Sequence, residues 1–148
     1  MTRNLSEFET VEGEVVVVID DDVRYLAKFK DLLGRLGYIV FGFANHEELA
    51  SQDNFSDGTQ LHKSLSEAKL VAICIDGNQE LRSTSMNMLK DGEDTVIYLR
   101  NRFEQLTLPI ERQPKLISNS ASGRTIAGTD STNNGSAMGV LEILQPSE

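Results

Sequence analysis

The chain has 148 residues, 39% of them hydrophobic and 25% charged, which is the composition of an ordinary globular domain with room for one sizeable core. A formal charge of -9 argues against nucleic acid or an anionic membrane as a direct partner, since both would repel it, and favours a cation or a basic protein patch. One cysteine, Cys74, excludes an intrachain disulfide. The N-terminal stretch has neither the apolar core of a signal peptide nor a membrane-length run, so the expected location is the cytoplasm.

Residues 1–13 are mostly polar and read as a short tail, with one domain expected over 14–148. From Glu14 to Asp22 the chain reads EVVVVIDDD, in which the apolar run Val15–Ile19 leads straight into three carboxylates. That is the pattern of a strand buried on both faces that ends at a charged site. Adjacent acids repel one another, and leaving them at the end of a buried strand is costly unless a cation or a run of donors compensates. The pattern therefore points to a metal site. The plainer alternative is that Asp22 N-caps the next helix and its neighbours are solvated.

After the acids, Val23, Leu26, Phe29, Leu32, Leu33 and Leu36 recur at spacings of three and four, the stripe of an amphipathic helix that Gly37 ends. YIVFGF predicts a second strand, and HEELASQ a second helix capped by Asn45. Within the polar stretch 52–69, Asp57-Gly58 predicts a turn, and Leu61 and Leu65 are spaced as on a helix face. KLVAICID then repeats the grammar of the first strand, an apolar run ending on Asp76. Alternating strands and helices imply a parallel sheet with helices on both faces, whose strands end at one edge. Asp76 is thus expected beside Asp20 and Asp21.

Residues 77–94 are polar and poorly periodic and predict a long loop, with a helix to follow over TVIYLRNRFEQL that buries Val96, Leu99, Phe103 and Leu106. KLIS after Pro114 predicts a fourth strand. The tract SNSASGRTIAGTDSTNNGS is small and polar and predicts a loop. AMGVLEIL is either a short helix capped by Ser136 or a last strand ended by Pro146, and the spacing of Met138, Leu141 and Ile143 or Leu144 favours the helix.

The order IDDD, amphipathic helix, GYIVFGF, CIDGN, TVIYLRNRF and PKLISNSAS resembles the receiver domain of bacterial two-component response regulators, from about Glu14 to Ala121. The resemblance implies a doubly wound α/β fold of flavodoxin-like type, a five-stranded parallel sheet in the order 2-1-3-4-5. It also implies Mg2+ binding and phosphorylation of an aspartate by a histidine kinase or phosphotransfer protein, which reshapes a surface for a downstream protein partner. Residue by residue, Asp20 and Asp21 match the acid pair after the first strand and Asp76 the phosphoacceptor. Asn78 matches the residue whose backbone carbonyl meets the metal, and Ser120 with Ala121 the hydroxyl and small residue after the fourth strand. With no effector domain in the sequence, the implied form is a stand-alone switch and not an enzyme.

Elementary chemistry asks for the same groups. A carboxylate attacking a phosphoryl group brings two anions together, so a hard, oxygen-liganded cation has to screen the charge that builds. Mg2+ suits this because it keeps several waters and leaves room for phosphate oxygens.

The sequence also departs from the family pattern. Receivers carry a lysine just after the fifth strand, whereas the last lysine here is Lys115. If AMGVLEIL is the last helix, Asn133 or Asn134 stands in the lysine's place; if it is the last strand, Gln145-Pro146 does. Cys74 is an alternative to Asp76 at the acceptor position and Ser118 an alternative to Ser120. Arg100, Arg102, Arg112 and Arg124 are candidate replacement cations. His46 and His62 lie in polar segments without ligand spacing and read as surface residues, and Met86 and Met88 as plugs onto the core.

Three functions remain open on the sequence: a phosphoaccepting receiver, a pseudo-receiver acting as a constitutive docking module, and a haloacid-dehalogenase-like phosphatase using the Asp-x-Asp of Asp20–Asp22. In the last family a threonine or valine is expected where Arg24 stands.

Overall fold

The computed structural model describes residues 13–45, 48–49, 59–76, 88–119, 125–133 and 135–144; of 88–91 and 137 it describes the backbone alone. Along the chain run β1 (Val15–Ile19), α1 (Val23–Gly34), β2 (Ile39–Phe43), α2 (Gln60–Ser66), β3 (Leu70–Ile75), α3 (Met88–Gln105), a 3-10 turn (Ile110–Arg112), β4 (Lys115–Asn119), β5 (Ser131–Asn133) and α4 (Ala137–Leu144). The strands form one five-stranded sheet in the order β2-β1-β3-β4-β5, every pair parallel.

Strand pleating sorts the apolar residues into two cores. Val15, Val17, Ile19, Ile73, Ile75 and Leu116 face α2 and α3, meeting Leu61, Leu65, Leu99 and Phe103. Val16, Val18, Ala72, Cys74 and Ile117 face α1 and α4, meeting Phe29, Leu33, Val140 and Leu141. β1 and β3 occupy the middle of the sheet, which is why their sequences are apolar without alternation. At the edges, β2 is only partly buried and β5 is three residues long and polar; short or polar edges discourage pairing with another chain.

Capping follows the sequence signals. Asp22 accepts from the amides of Arg24 and Tyr25 at the start of α1, as the N-cap alternative expected. Asn45 Oδ1 accepts from Glu48 N at 2.8 Å, and Glu48 and Leu49 are helical. Ser136 Oγ accepts from Gly139 N at 3.0 Å, so AMGVLEIL is a capped helix and not a strand.

Three expectations are corrected. α3 starts at Met88, within the stretch expected to be loop. β5 lies inside the Ser/Thr/Asn tract expected to be loop, because the buried face of Asn119 on β4 gives Asn133 a hydrogen-bonding partner there. Val23 is not on the buried stripe of α1: it is 77% exposed beside the acid loop.

Candidate functional site

The site forms where β1 and β3 end together. The ladder runs one step past each strand, with Asp20 N donating to Phe43 O at 2.9 Å and Asp76 N to Ile19 O at 3.0 Å. Both acids are thereby fixed by backbone at the carboxyl edge of the sheet, where ligands of open parallel sheets bind. Asp20, Asp21 and Asp76 each offer a carboxylate oxygen within 4.8 Å of the others. Asp22, the third acid of the run, serves α1 as its cap.

Asp20 is the most buried of the cluster, at 6% exposure, and its Oδ1 accepts from Asp22 N at 2.9 Å. Burial pushes its pKa up to about 6, with the charges of Asp21 and Asp22 adding and the Asp22 amide opposing. An all-oxygen donor set of three acids fits a hard divalent cation such as Mg2+, whose charge would favour the ionised form of Asp20 against its burial. Such an ion would be held by Asp20, Asp21 and Asp76 and would offset their mutual repulsion.

The pleat extends the edge beyond the acids. β3 and β4 pair Ile75 with Ser118, so one step on Asp76 stands opposite Asn119; β4 and β5 pair Asn119 with Asn133. Following Val18, Cys74 and Ile117, which all face α1 and α4, Asp20, Asp76, Asn119 and Asn133 form a row on that face. Over the row lies Tyr25 of α1, its ring 5.0 Å from that of Phe29. Burial pushes the Tyr25 hydroxyl up to about 12, with the charges of Asp20, Cys74 and Asp76 adding and the adjoining Asn119 amide opposing.

Other candidates fall elsewhere. Cys74 is fully buried within β3, two residues short of the edge, and burial pushes its thiol up to about 12. Ser118 belongs to the opposite face, where its hydroxyl accepts from Ile126 N at 2.8 Å and meets Thr129 Oγ1 at 2.7 Å. Arg100 pairs with Asp130 and Gln113 below the start of β5, at the far edge of the sheet; Arg112 donates to Ser66 O and Arg102 to Gln105 Oε1. Asn78, Ser120, Ala121, His46, Met86, Arg124 and Asn134, the tail 1–12, the Asp57-Gly58 turn and Gln145-Pro146 lie outside the described residues, as does the Met88 side chain. The fifth strand ends on Asn133, one of the two asparagines expected to stand in the lysine's place; the other, Asn134, follows it outside the described residues.

Sequence reading passed over Asn119 and Tyr25. Asn119 was within reach: it directly follows the KLIS run expected as the fourth strand, as Asp76 directly follows the apolar run of the third.

A 2-1-3-4-5 parallel sheet with helices on both faces and acids gathered at its carboxyl edge is the fold of CheY-like receiver domains. The chain is similar to the structure of a response regulator receiver domain (CheY-like) from Methylobacillus flagellatus, with 19% identity, 89% of this chain and 96% of that chain covered, and a TM-score of 0.55. No family model and no curated protein matches the sequence. Among the described residues no helix is long and apolar enough to cross a membrane.

Proposed function

We propose that the chain is an atypical response-regulator receiver that takes a phosphoryl group on Asp76 from a histidine kinase or phosphotransfer protein and passes the change on to a protein partner. The observation that carries this reading is the convergence of Asp20, Asp21 and Asp76 within 4.8 Å at the carboxyl edge of a receiver-type sheet. An Asp76 carboxylate oxygen attacks phosphorus, the bond from phosphorus to the donor breaks, and the donor leaves with the electron pair; the product is an acyl phosphate. Mg2+ would be held by Asp20, Asp21 and Asp76, with the backbone carbonyl of Asn78 that the resemblance implies, and would supply charge screening for this transfer. The location that fits these partners is the cytoplasm, with neither nucleic acid nor membrane as a direct partner, in keeping with the charge of -9.

Intact-protein mass after incubation with a small phosphodonor, with and without Mg2+, tests the proposal. A single Mg2+-dependent adduct that is lost in Asp76→Asn is the expected result. No adduct on the folded chain refutes phosphoacceptance. It would leave the pseudo-receiver, a constitutive docking module, which the amide at Asn133 in place of a lysine favours. Repeated turnover of a small phosphate ester, rather than one group per chain, would indicate a phosphatase.

A further inference from the structure

The amides at the ends of β4 and β5 are oriented by a contact outside the acid cluster. Asn133 Nδ2 donates to Ser136 O at 2.8 Å and to Asn119 Oδ1 at 2.7 Å. A backbone carbonyl only accepts, so the Asn133 group turned to Ser136 has to be its NH2, and these two bonds occupy both hydrogens. The Asn119 atom that meets this NH2 has to be its oxygen. It follows that the Asn119 NH2 is turned away from Asn133.

Gly139 secures the arrangement from the other side, because a Cβ there would land on Asn133 Oδ1. Asn119 is 2% exposed and Asn133 6%, so neither amide is free to exchange its bond for one to bulk water. Beyond Asn119 stands Tyr25, whose buried hydroxyl adjoins the Asn119 amide and makes no well-formed hydrogen bond among the described residues.

We propose that the NH2 of Asn119, oriented by Asn133, is the donor that binds an oxyanion carried on Asp76, with Asn133 as a positioning residue and the Tyr25 hydroxyl alongside. This rests on the reading of Asp76 as phosphoacceptor and adds what recognises the phosphoryl group on the β4–β5 side. The recognition there is by uncharged amide, where a hydroxyl and a lysine were expected. Asn119 approaches Asp76 by strand register, one step past the Ile75–Ser118 pair. No bond to carbon or phosphorus is made or broken by either amide; their part is to donate hydrogen bonds.

The test uses the full chain with Mg2+ and beryllium fluoride, which forms a phosphoryl-like BeF3 group on a carboxylate, followed by fluorine NMR. The wild-type chain is expected to show one bound species. Asn119→Asp can still accept the Asn133 hydrogen bond, so the pair and the fold survive, but no N–H remains to face Asp76. Binding should fall at least about tenfold, the range of a lost charge-assisted hydrogen bond. Asn119→Thr restores a donor and should bind within about threefold of wild type, whereas Asn119→Val, neutral and isosteric with threonine but without a donor, should show the loss, which separates the missing donor from the charge that aspartate adds. Asn133→Asp removes the donor that orients Asn119 and should match the loss of Asn119→Asp. Wild-type affinity in Asn119→Asp, or equal loss in Asn119→Thr, overturns the donor role and leaves the phosphoacceptor reading intact. Wild-type affinity in Asn133→Asp overturns the positioning role. A folded wild-type chain that binds no beryllium fluoride overturns this proposal and the phosphoacceptor reading together.

Discussion

Asp20→Asn should stabilise the metal-free protein at neutral pH. The carboxyl of Asp20 is raised from 3.8 to about 6, chiefly by burial, so ionising it in the folded state is harder than in the unfolded chain by about two pKa units. At 1.36 kcal/mol per unit, the ionised group costs the fold about 3 kcal/mol. An asparagine keeps the oxygen that accepts from Asp22 N at 2.9 Å and removes the charge, so about 2 to 3 kcal/mol should return. The sign follows from proton uptake: between about pH 4 and pH 6 the folded state binds more protons than the unfolded state, so wild-type stability rises as pH falls through that window. The advantage of Asp20→Asn is therefore full above about pH 6, shrinks below it and is gone near pH 4. Urea unfolding followed by far-UV circular dichroism in EDTA, from pH 4 to 8, measures this, since the chain has no tryptophan for fluorescence. Millimolar Mg2+ should narrow the gap by stabilising wild type more than the variant. Equal or lower stability of Asp20→Asn at pH 7.5 in EDTA, or a gap that ignores pH, would refute the account of a strained acid edge.

Two glycines predict opposite outcomes of the same substitution in urea unfolding. Gly139→Ala drives a Cβ into Asn133 Oδ1 and should cost about 1 to 3 kcal/mol, whereas at Gly34 a Cβ meets nothing within 4 Å and Gly34→Ala should gain up to about 1 kcal/mol. Ala68 closes α2 in the left-handed region at φ 58, so Ala68→Gly should raise stability by about 1 kcal/mol in the same assay. Arg100→Ala removes donors to Gln113 Oε1, Gly128 O and Asp130; because the ion pair is partly exposed, a loss of about 1 kcal/mol is expected, smaller in high salt.

How far the sequence could be read depended on which physical signal each segment carried. β1 and β3 were legible to the residue because central parallel strands need unbroken apolar runs, and the acids that stop those runs mark the edge. The meeting of Asp20, Asp21 and Asp76 followed from that rule alone. β5 was hidden because its buried positions are polar: Asn133 is held by hydrogen bonds to Asn119 and Ser136 and not by apolar burial, so no hydrophobic period betrays it. The first turns of α3 were hidden for a related reason, since Asp91, Gly92 and Asp94 interrupt the apolar spacing and have poor helix propensity. Val23 failed differently: it shares the period of α1 but sits in the first turn, at the sheet edge, where nothing packs over it.

The same polar pairing bears on how the edge can communicate. Asn133 joins Asn119, level with Asp76, to the carbonyl of Ser136, and Ser136 Oγ caps α4 through Gly139 N. Ser136 O also accepts from Val140 N at 3.3 Å, so the same residue serves the edge and the first turn of the helix. A lysine in this position could follow a charge by swinging its flexible stem. A buried asparagine with both hydrogens engaged cannot: if Asn119 moves, one of two short hydrogen bonds has to break or Ser136 has to follow. With Asn133 packed against Gly139, the acid edge and the first turn of α4 are joined by hydrogen bonds and close packing rather than by a charged side chain.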